Sequence, residues 1–196
     1  DIADVREDAD YVYFVSNNTI YGTRFAQFPE FKDKILVSDM SSDILSRPFD
    51  VSKFGLIFAG AQKNMGIAGL TVVIIREDLL GFADPKTPVM LDYAAIAKEN
   101  SLMNTPPTYA IYLAGLLFEW LKELGGLDAM HALNQKKAKL LYDAIDQSGF
   151  FQGTVKVEDR SLMNITFRSP SAEADKAFIA FCESRGFCLL YTSRRG

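Results

Sequence analysis

The segment Gly60-Ala61-Gln62-Lys63-Asn64-Met65-Gly66-Ile67-Ala68-Gly69 stands between two short apolar runs, residues 56–59 and 71–75. Its glycines permit tight turns and close approach of backbone to a ligand, and the flanking runs have the length and residue types of strands. A lysine at the end of such a strand is fixed at the edge of a rigid sheet. This is not a Walker loop, in which the lysine follows the second glycine and precedes Ser or Thr; Lys63 precedes Asn64. Taken alone, the segment fits a solvated turn lysine more readily than a reactive one.

Outward from this segment, residues 11–15 and 35–38 repeat the pattern: runs of Val, Ile, Phe and Tyr bounded by Asn, Asp and Gly signals. Continuous apolar character in strands this short predicts burial on both faces, as in an α/β fold whose mostly parallel sheet is covered by helices. Residues 107–123 read as a helix entered at Pro106 and Pro107 and ended by Gly125 and Gly126. Ile111, Leu113, Leu116, Leu117, Phe118 and Leu121 leave it almost no polar face, which predicts a buried helix or one at a subunit contact. A second helix over 127–147 places Leu127, Met130, Leu133, Leu141 and Ile145 on one stripe and turns Lys136, Lys137 and Lys139 to solvent. After Gly149 the pattern changes to strands at 154–157 and 162–167 and a helix over 171–185. Ser171 caps that helix, with Ala172, Phe178, Ile179 and Cys182 mostly inward. The division expected is therefore a large α/β part over 1–149 and the start of a small α+β lobe over 150–187.

Composition bounds the function. The chain has 196 residues, 48% hydrophobic and 23% charged, which is the usage of a folding globular chain rather than a disordered one. A formal net charge of -4 offers no general attraction for nucleic acid or for an anionic membrane. The longest apolar stretch, 109–118, is well short of the roughly 20 residues that span a bilayer. No basic-then-apolar leader opens the sequence, and two cysteines, Cys182 and Cys188, make neither a disulfide framework nor a zinc site. The expectation is a cytoplasmic protein without a metal.

The second chemical group is Asp39, at the end of the apolar run 35–38 and followed by Met40-Ser41-Ser42. In open α/β sheets, ligands gather beyond the carboxyl ends of strands. Asp39 also fits a helix cap or a turn carboxylate. Together with Lys63, however, it supplies the pair that pyridoxal phosphate requires. A carboxylate keeps the ring nitrogen protonated, and an amine joined to the aldehyde activates the cofactor and moves the proton.

The string Asp39-Met40-Ser41-Ser42, then Leu45-Ser46-Arg47-Pro48, then Gly60 to Asn64, then Asn104-Thr105-Pro106-Pro107, resembles the phosphoserine aminotransferases, fold-type I enzymes, over about residues 11–187. The resemblance implies the central part of the large domain of a pyridoxal-phosphate-dependent transferase, plus the start of its small lobe. The reaction implied converts 3-phosphohydroxypyruvate and glutamate into phosphoserine and 2-oxoglutarate in serine biosynthesis; some members also make 4-phosphohydroxythreonine for pyridoxine synthesis. Lys63 corresponds to the Schiff-base lysine, Asp39 to the partner of the ring nitrogen, and Gln62 to a contact of the cofactor phosphate. Thr19, within Asn17-Asn18-Thr19-Ile20-Tyr21-Gly22, corresponds to a residue beside the 3-hydroxyl, although Asn18 stands where the family often has Glu. Asn104 and Thr105 correspond to residues that reach the phosphate in the neighbouring subunit of a homodimer.

The resemblance also has edges. The family's glycine-rich phosphate turn and ring-stacking tryptophan precede the point where these residues begin. Residues 188–196 do not resemble the Gly-His-Arg segment that follows in the family, and their expected origin is non-native. The second reading is therefore a catalytically silent fragment that folds partly or only dimerises. A weaker one, another fold-type I enzyme such as a cysteine desulfurase, lacks that enzyme's mobile cysteine loop. His131 reads as a partly exposed surface residue, Trp120 and Tyr112 as core or interface aromatics, and Arg47 as a salt-bridging residue ahead of Pro48.

Overall fold

The computed structural model describes residues 5–187; the expected non-native tail at 188–196 lies outside the described residues. Four strands make the main sheet, β1 (Tyr11–Val15), β4 (Ile35–Asp39), β5 (Leu56–Gly60) and β6 (Thr71–Ile75), in that spatial order. Strands β1, β4 and β5 run parallel, while β6 returns antiparallel to β5 across the lysine-bearing segment. In chain order, β1 is followed by a small hairpin of β2 (Asn17–Asn18) and β3 (Thr23–Arg24) before β4. Helices follow as α1 (Ala61–Asn64), α2 (Tyr93–Lys98), α3 (Thr108–Glu123) and α4 (Gly126–Asp146), then the pair β7 (Gln152–Gly153) and β8 (Phe167–Arg168), and α5 (Ala172–Ser184). The parallel-dominated sheet with helices is the α/β arrangement expected.

The chain groups into two units: one comprises the chain up to Ser16 with Gln27–His131, the other Asn17–Ala26 with the chain from Ala132 onward. In the first unit, strand alternation sorts the sheet into two faces. Phe14, Leu36, Ser38, Ile57 and Ala59 are buried on one. Their cover includes rings from the segments between strands, with Phe14 against Phe28 and Phe54, and Phe49 closing edge-on to both. The opposite face carries Tyr11, Tyr13 and Val15 at 57%, 51% and 40% exposure. Burial on both faces, expected from the unbroken apolar runs, is therefore realised on one, because among the described residues nothing covers these three side chains.

Of the two alternatives expected for helix α3, burial within the chain is met only in part. Ala110, Ala114 and Leu121 are buried, but Tyr109, Tyr112 and Trp120 are 67%, 60% and 49% exposed, so neither Tyr112 nor Trp120 is a core aromatic. On α4 the buried stripe is Asn134, Ala138, Tyr142 and Ile145, and Leu133 and Leu141 face outward. Ile145 is buried as expected, whereas apolarity alone misses Asn134 and Tyr142, which enter the interior with their polar groups attached.

In the second unit a buried polar network overrides apolar patterning. Ser161 Oγ donates to Asn17 Oδ1 and accepts from the backbone N–H groups of Met163 and Asn164, both at 3.0 Å. Asn17 Nδ2 reaches Asn164 Oδ1 at 2.8 Å, and Tyr142 Oη donates to the Ser161 carbonyl at 2.9 Å. These bonds curl the chain through 161–164, so the strands expected at 154–157 and 162–167 shrink to the two-residue pair β7 and β8, with a short helical turn at Val157–Asp159. Phe151, Phe167 and Phe178 pack edge to face beside that pair. On α5, Ser171 accepts from Ala174 N at 3.2 Å as the expected cap and Cys182 is buried, whereas Ala172 is exposed. Ser161 is 0% exposed, so Ser161→Ala strips partners from interior donors and acceptors at once. The expected cost is roughly 2–4 kcal/mol, read as a lower urea midpoint with an unchanged slope.

Candidate active site

Parallel strands with a right-handed twist bring their carboxyl ends to one edge, and there the two chemical groups meet in the topology. Asp39 is the last residue of β4, paired in register with Phe58 of β5; β5 ends two residues later at Gly60, and Lys63 sits in the single helical turn α1 that follows. Both belong to the first unit. The Lys63 side chain is exposed, and Asp39 is half-buried. Gln62, exposed, bends back over Gly60: a Cβ built there would meet Gln62 Oε1 at 2.7 Å.

The turn after β4 and the turn after β5 are stitched together. Asp39 Oδ1 accepts the Ser41 N–H at 2.8 Å, and Met40 N–H donates to the Phe58 carbonyl at 2.9 Å, continuing the ladder by one rung. Ser41 Oγ then accepts the Gly60 N–H at 3.0 Å, and Asn64 Nδ2 donates to the Ile44 carbonyl at 2.5 Å. Ser16 Oγ, at the end of β1, donates to the buried carboxylate of Asp43 in the same turn. Neither Ser41 nor Asn64 stands out by residue type. Their roles depend on strand register, which composition does not reveal.

The Asp39 side of the sheet is also aromatic. Tyr13 and Phe58 share its alternation and stack at 6.3 Å with planes 2° apart. Partial desolvation beside the neighbouring ring, followed by the Asp39 charge, raises the Tyr13 phenol above its usual pKa, so this hydroxyl stays neutral through the physiological range.

Beyond α1, Gly66 has φ +154 and comes within van der Waals range of Ala114: a Cβ at Gly66 would lie 3.6 Å from Ala114 N. The contact is tolerable but the backbone angle favours glycine. Gly66→Ala is therefore expected to destabilise the first unit by about 1–3 kcal/mol. Faster proteolysis between Gly60 and Leu70 than in the parent chain would report it.

Other expected site residues fall elsewhere. Thr19 lies in the second unit, in the turn after β2, where Asn18 Oδ1 accepts from Ile20 N and Tyr21 N at 3.1 and 3.0 Å. Asn104 and Thr105 are exposed in the lead-in to α3, with a local bond from Asn104 Nδ2 to the Thr105 carbonyl at 3.4 Å. Arg47 lies over the Phe28 ring, 4.5 Å from its centroid. His131 is half-buried on α4. Among the described residues no cluster of His, Cys, Asp and Glu could hold a metal, and no helix is long and apolar enough to cross a membrane.

The family model Aminotransferase class-V matches residues 2–188, nearly the whole chain. This chain belongs to the class-V aminotransferase family. Within that family it is 55% identical over 187 residues to a phosphoserine aminotransferase of Acidithiobacillus ferrooxidans, covering 95% of this chain and 52% of the relative. It is 52% identical to one from Lysinibacillus sphaericus, again over 95% of this chain and 52% of that protein. The phosphoserine aminotransferase structure from Bacillus circulans subsp. alkalophilus superposes with a TM-score of 0.95 at 50% identity, covering 97% of this chain and 53% of that one. A structure from Trichomonas vaginalis, described as phosphoserine aminotransferase with PLP bound, gives 0.93 at 45% identity, covering 97% of this chain and 55% of its own. The class-V chain thus spans about half the length of the curated relatives it matches.

Proposed function

We propose that this chain is the cofactor-binding core of a pyridoxal-phosphate-dependent phosphoserine aminotransferase. The observation that carries the reading is the placement of Asp39 at the carboxyl end of β4 and Lys63 just past that of the adjacent parallel strand β5, where the turns that follow are joined by hydrogen bonds. The donor set suits pyridoxal phosphate: a half-buried carboxylate on one strand end, an exposed amine on the next, and a neighbouring amide in Gln62. The names of close relatives, and a solved relative described with PLP bound, support the same reading.

When bound, the cofactor would supply an electron sink for the carbon bearing the substrate amine. The chain's own residues do the rest. Asp39 is held by the Ser41 N–H on Oδ1, leaving Oδ2 to accept from a ring N–H and keep that nitrogen protonated. Lys63 is the residue that would hold the cofactor, and its Nζ would be the base that takes up the substrate proton and gives it back. Gln62 and Thr19 would contact the phosphate and the 3-hydroxyl, and Asn104 and Thr105 would reach the phosphate of a partner subunit in a homodimer. The proposed small-molecule substrates are 3-phosphohydroxypyruvate and glutamate in serine biosynthesis, with 4-phosphohydroxythreonine a second product in the pyridoxine route, all in the cytoplasm. The proposed division is a large cofactor-binding part over 1–149 and the start of a small domain over 150–187.

The exposed sheet face at Tyr11, Tyr13 and Val15 favours a second reading for these 196 residues taken alone: a catalytically silent fragment that folds partly or only dimerises. The test supplies glutamate, 3-phosphohydroxypyruvate and pyridoxal phosphate to the whole protein and to this chain. Phosphoserine and 2-oxoglutarate appearing together from the whole protein support the assignment, and turnover of other keto acids in preference to 3-phosphohydroxypyruvate would overturn it.

A further inference from the structure

We infer that Ser41 is the positioning residue that holds the Lys63 segment in register with Asp39; this rests on the function just proposed. The strand ladder explains why a side chain is needed. Strand β4 pairs with β5 as far as Asp39 opposite Phe58, and Met40 N–H to the Phe58 carbonyl is the last backbone rung. Beyond it the chain turns away: Asp43 N and Ile44 N both bond back to the Met40 carbonyl, at 3.1 and 2.8 Å. The next β5 donor on this side, Gly60 N–H, then has no β4 carbonyl to meet. Ser41 Oγ takes that place at 3.0 Å, a side-chain rung added past the end of the strand pair.

Gly60 is the residue from which α1 begins, so fixing its N–H fixes the start of the turn carrying Lys63. The same Ser41 donates its own N–H to Asp39 Oδ1. One residue therefore orients the carboxylate through its backbone and the lysine turn through its hydroxyl. Asn64 ties the other end of α1 to the Ile44 carbonyl and Ala61 N–H ties its start to the Leu70 carbonyl beside β6, so the Ser41 contact is what ties the entry to the β4 side. Next to it, Leu45 sits at φ 62, a left-handed conformation that a leucine adopts only where its surroundings impose it. The turn is thus built to one shape.

The separation of roles makes the inference testable. Ser41→Ala keeps the backbone N–H to Asp39 and removes only the acceptor for Gly60, whereas Ser41→Thr keeps a hydroxyl at the same carbon. The first readout is amide hydrogen exchange at Gly60 in the chain without cofactor. Ser41→Ala should speed it by about threefold to tenfold, the loss expected for one hydrogen bond, and Ser41→Thr should restore protection. The second readout is the rate of borohydride-trapped attachment of pyridoxal phosphate at Lys63, which should fall by a similar factor in Ser41→Ala and recover in Ser41→Thr. Unchanged exchange at Gly60 would overturn the inference, as would faster exchange with an unaltered trapping rate. If the parent chain itself traps no cofactor, the functional reading fails, and exchange at Gly60 alone decides whether Ser41 holds the turn.

Discussion

Replacing Lys63 by alanine should reduce transamination by the whole protein to background, a loss of at least about a thousandfold, while the fold survives. Two contributions vanish together: the covalent hold on the cofactor and the amine that moves the substrate proton, the latter alone worth about 10²–10⁴ in rate. Lys63 is exposed in a single helical turn, and alanine is the stronger helix former, so stability should change by no more than about 0.5 kcal/mol. Lys63→Arg separates charge from nucleophilicity, since a guanidinium keeps the positive charge but does not deprotonate. It should be as inactive as Lys63→Ala. Activity in Lys63→Arg above one tenth of the parent would argue that this position contributes only charge.

Asp39→Asn should produce a different defect. The amide oxygen can still accept the Ser41 N–H, so the turn after β4 stays in place. What disappears is the negative charge that favours a protonated ring nitrogen. Cofactor attachment at Lys63 should persist, because the amine and its turn are untouched, while kcat falls on the order of 10²–10³-fold, the scale for losing one aimed electrostatic partner. That split between retained attachment and lost turnover distinguishes an electronic role from a structural one. A structural role would lower both together, and the contact between Asp39 and the ring would then have to be abandoned.

Much of the sheet was legible in the sequence because short, β-branched and aromatic runs bounded by Gly, Asn and Asp admit few alternatives; 11–15 and 71–75 were placed to the residue. The placement of Asp39 at the end of one strand and of Lys63 just beyond the next was legible because both residues follow such apolar runs. Register was not, since it arises from pairing between segments distant in the chain. Without register, the shared face of Tyr13, Phe58 and Asp39 and the bridging role of Ser41 could not be read. In the second unit the failure has another cause. Ser161 and Asn17 are 144 positions apart yet bond directly, and that tertiary contact bends an apolar stretch that local pattern assigns to a strand. Tyr142 was missed on α4 for a related reason: it is drawn inward by the Ser161 carbonyl as well as by its ring.

Lys63 is the amine proposed to take the cofactor. The most direct measurement incubates the chain with pyridoxal phosphate, reduces with borohydride, digests, and locates the pyridoxyl group by mass spectrometry. The predicted result is modification concentrated at Lys63 at cofactor concentrations too low to label exposed lysines such as Lys136 and Lys137. Equal labelling of those surface lysines, or a dominant adduct anywhere other than Lys63, would contradict it.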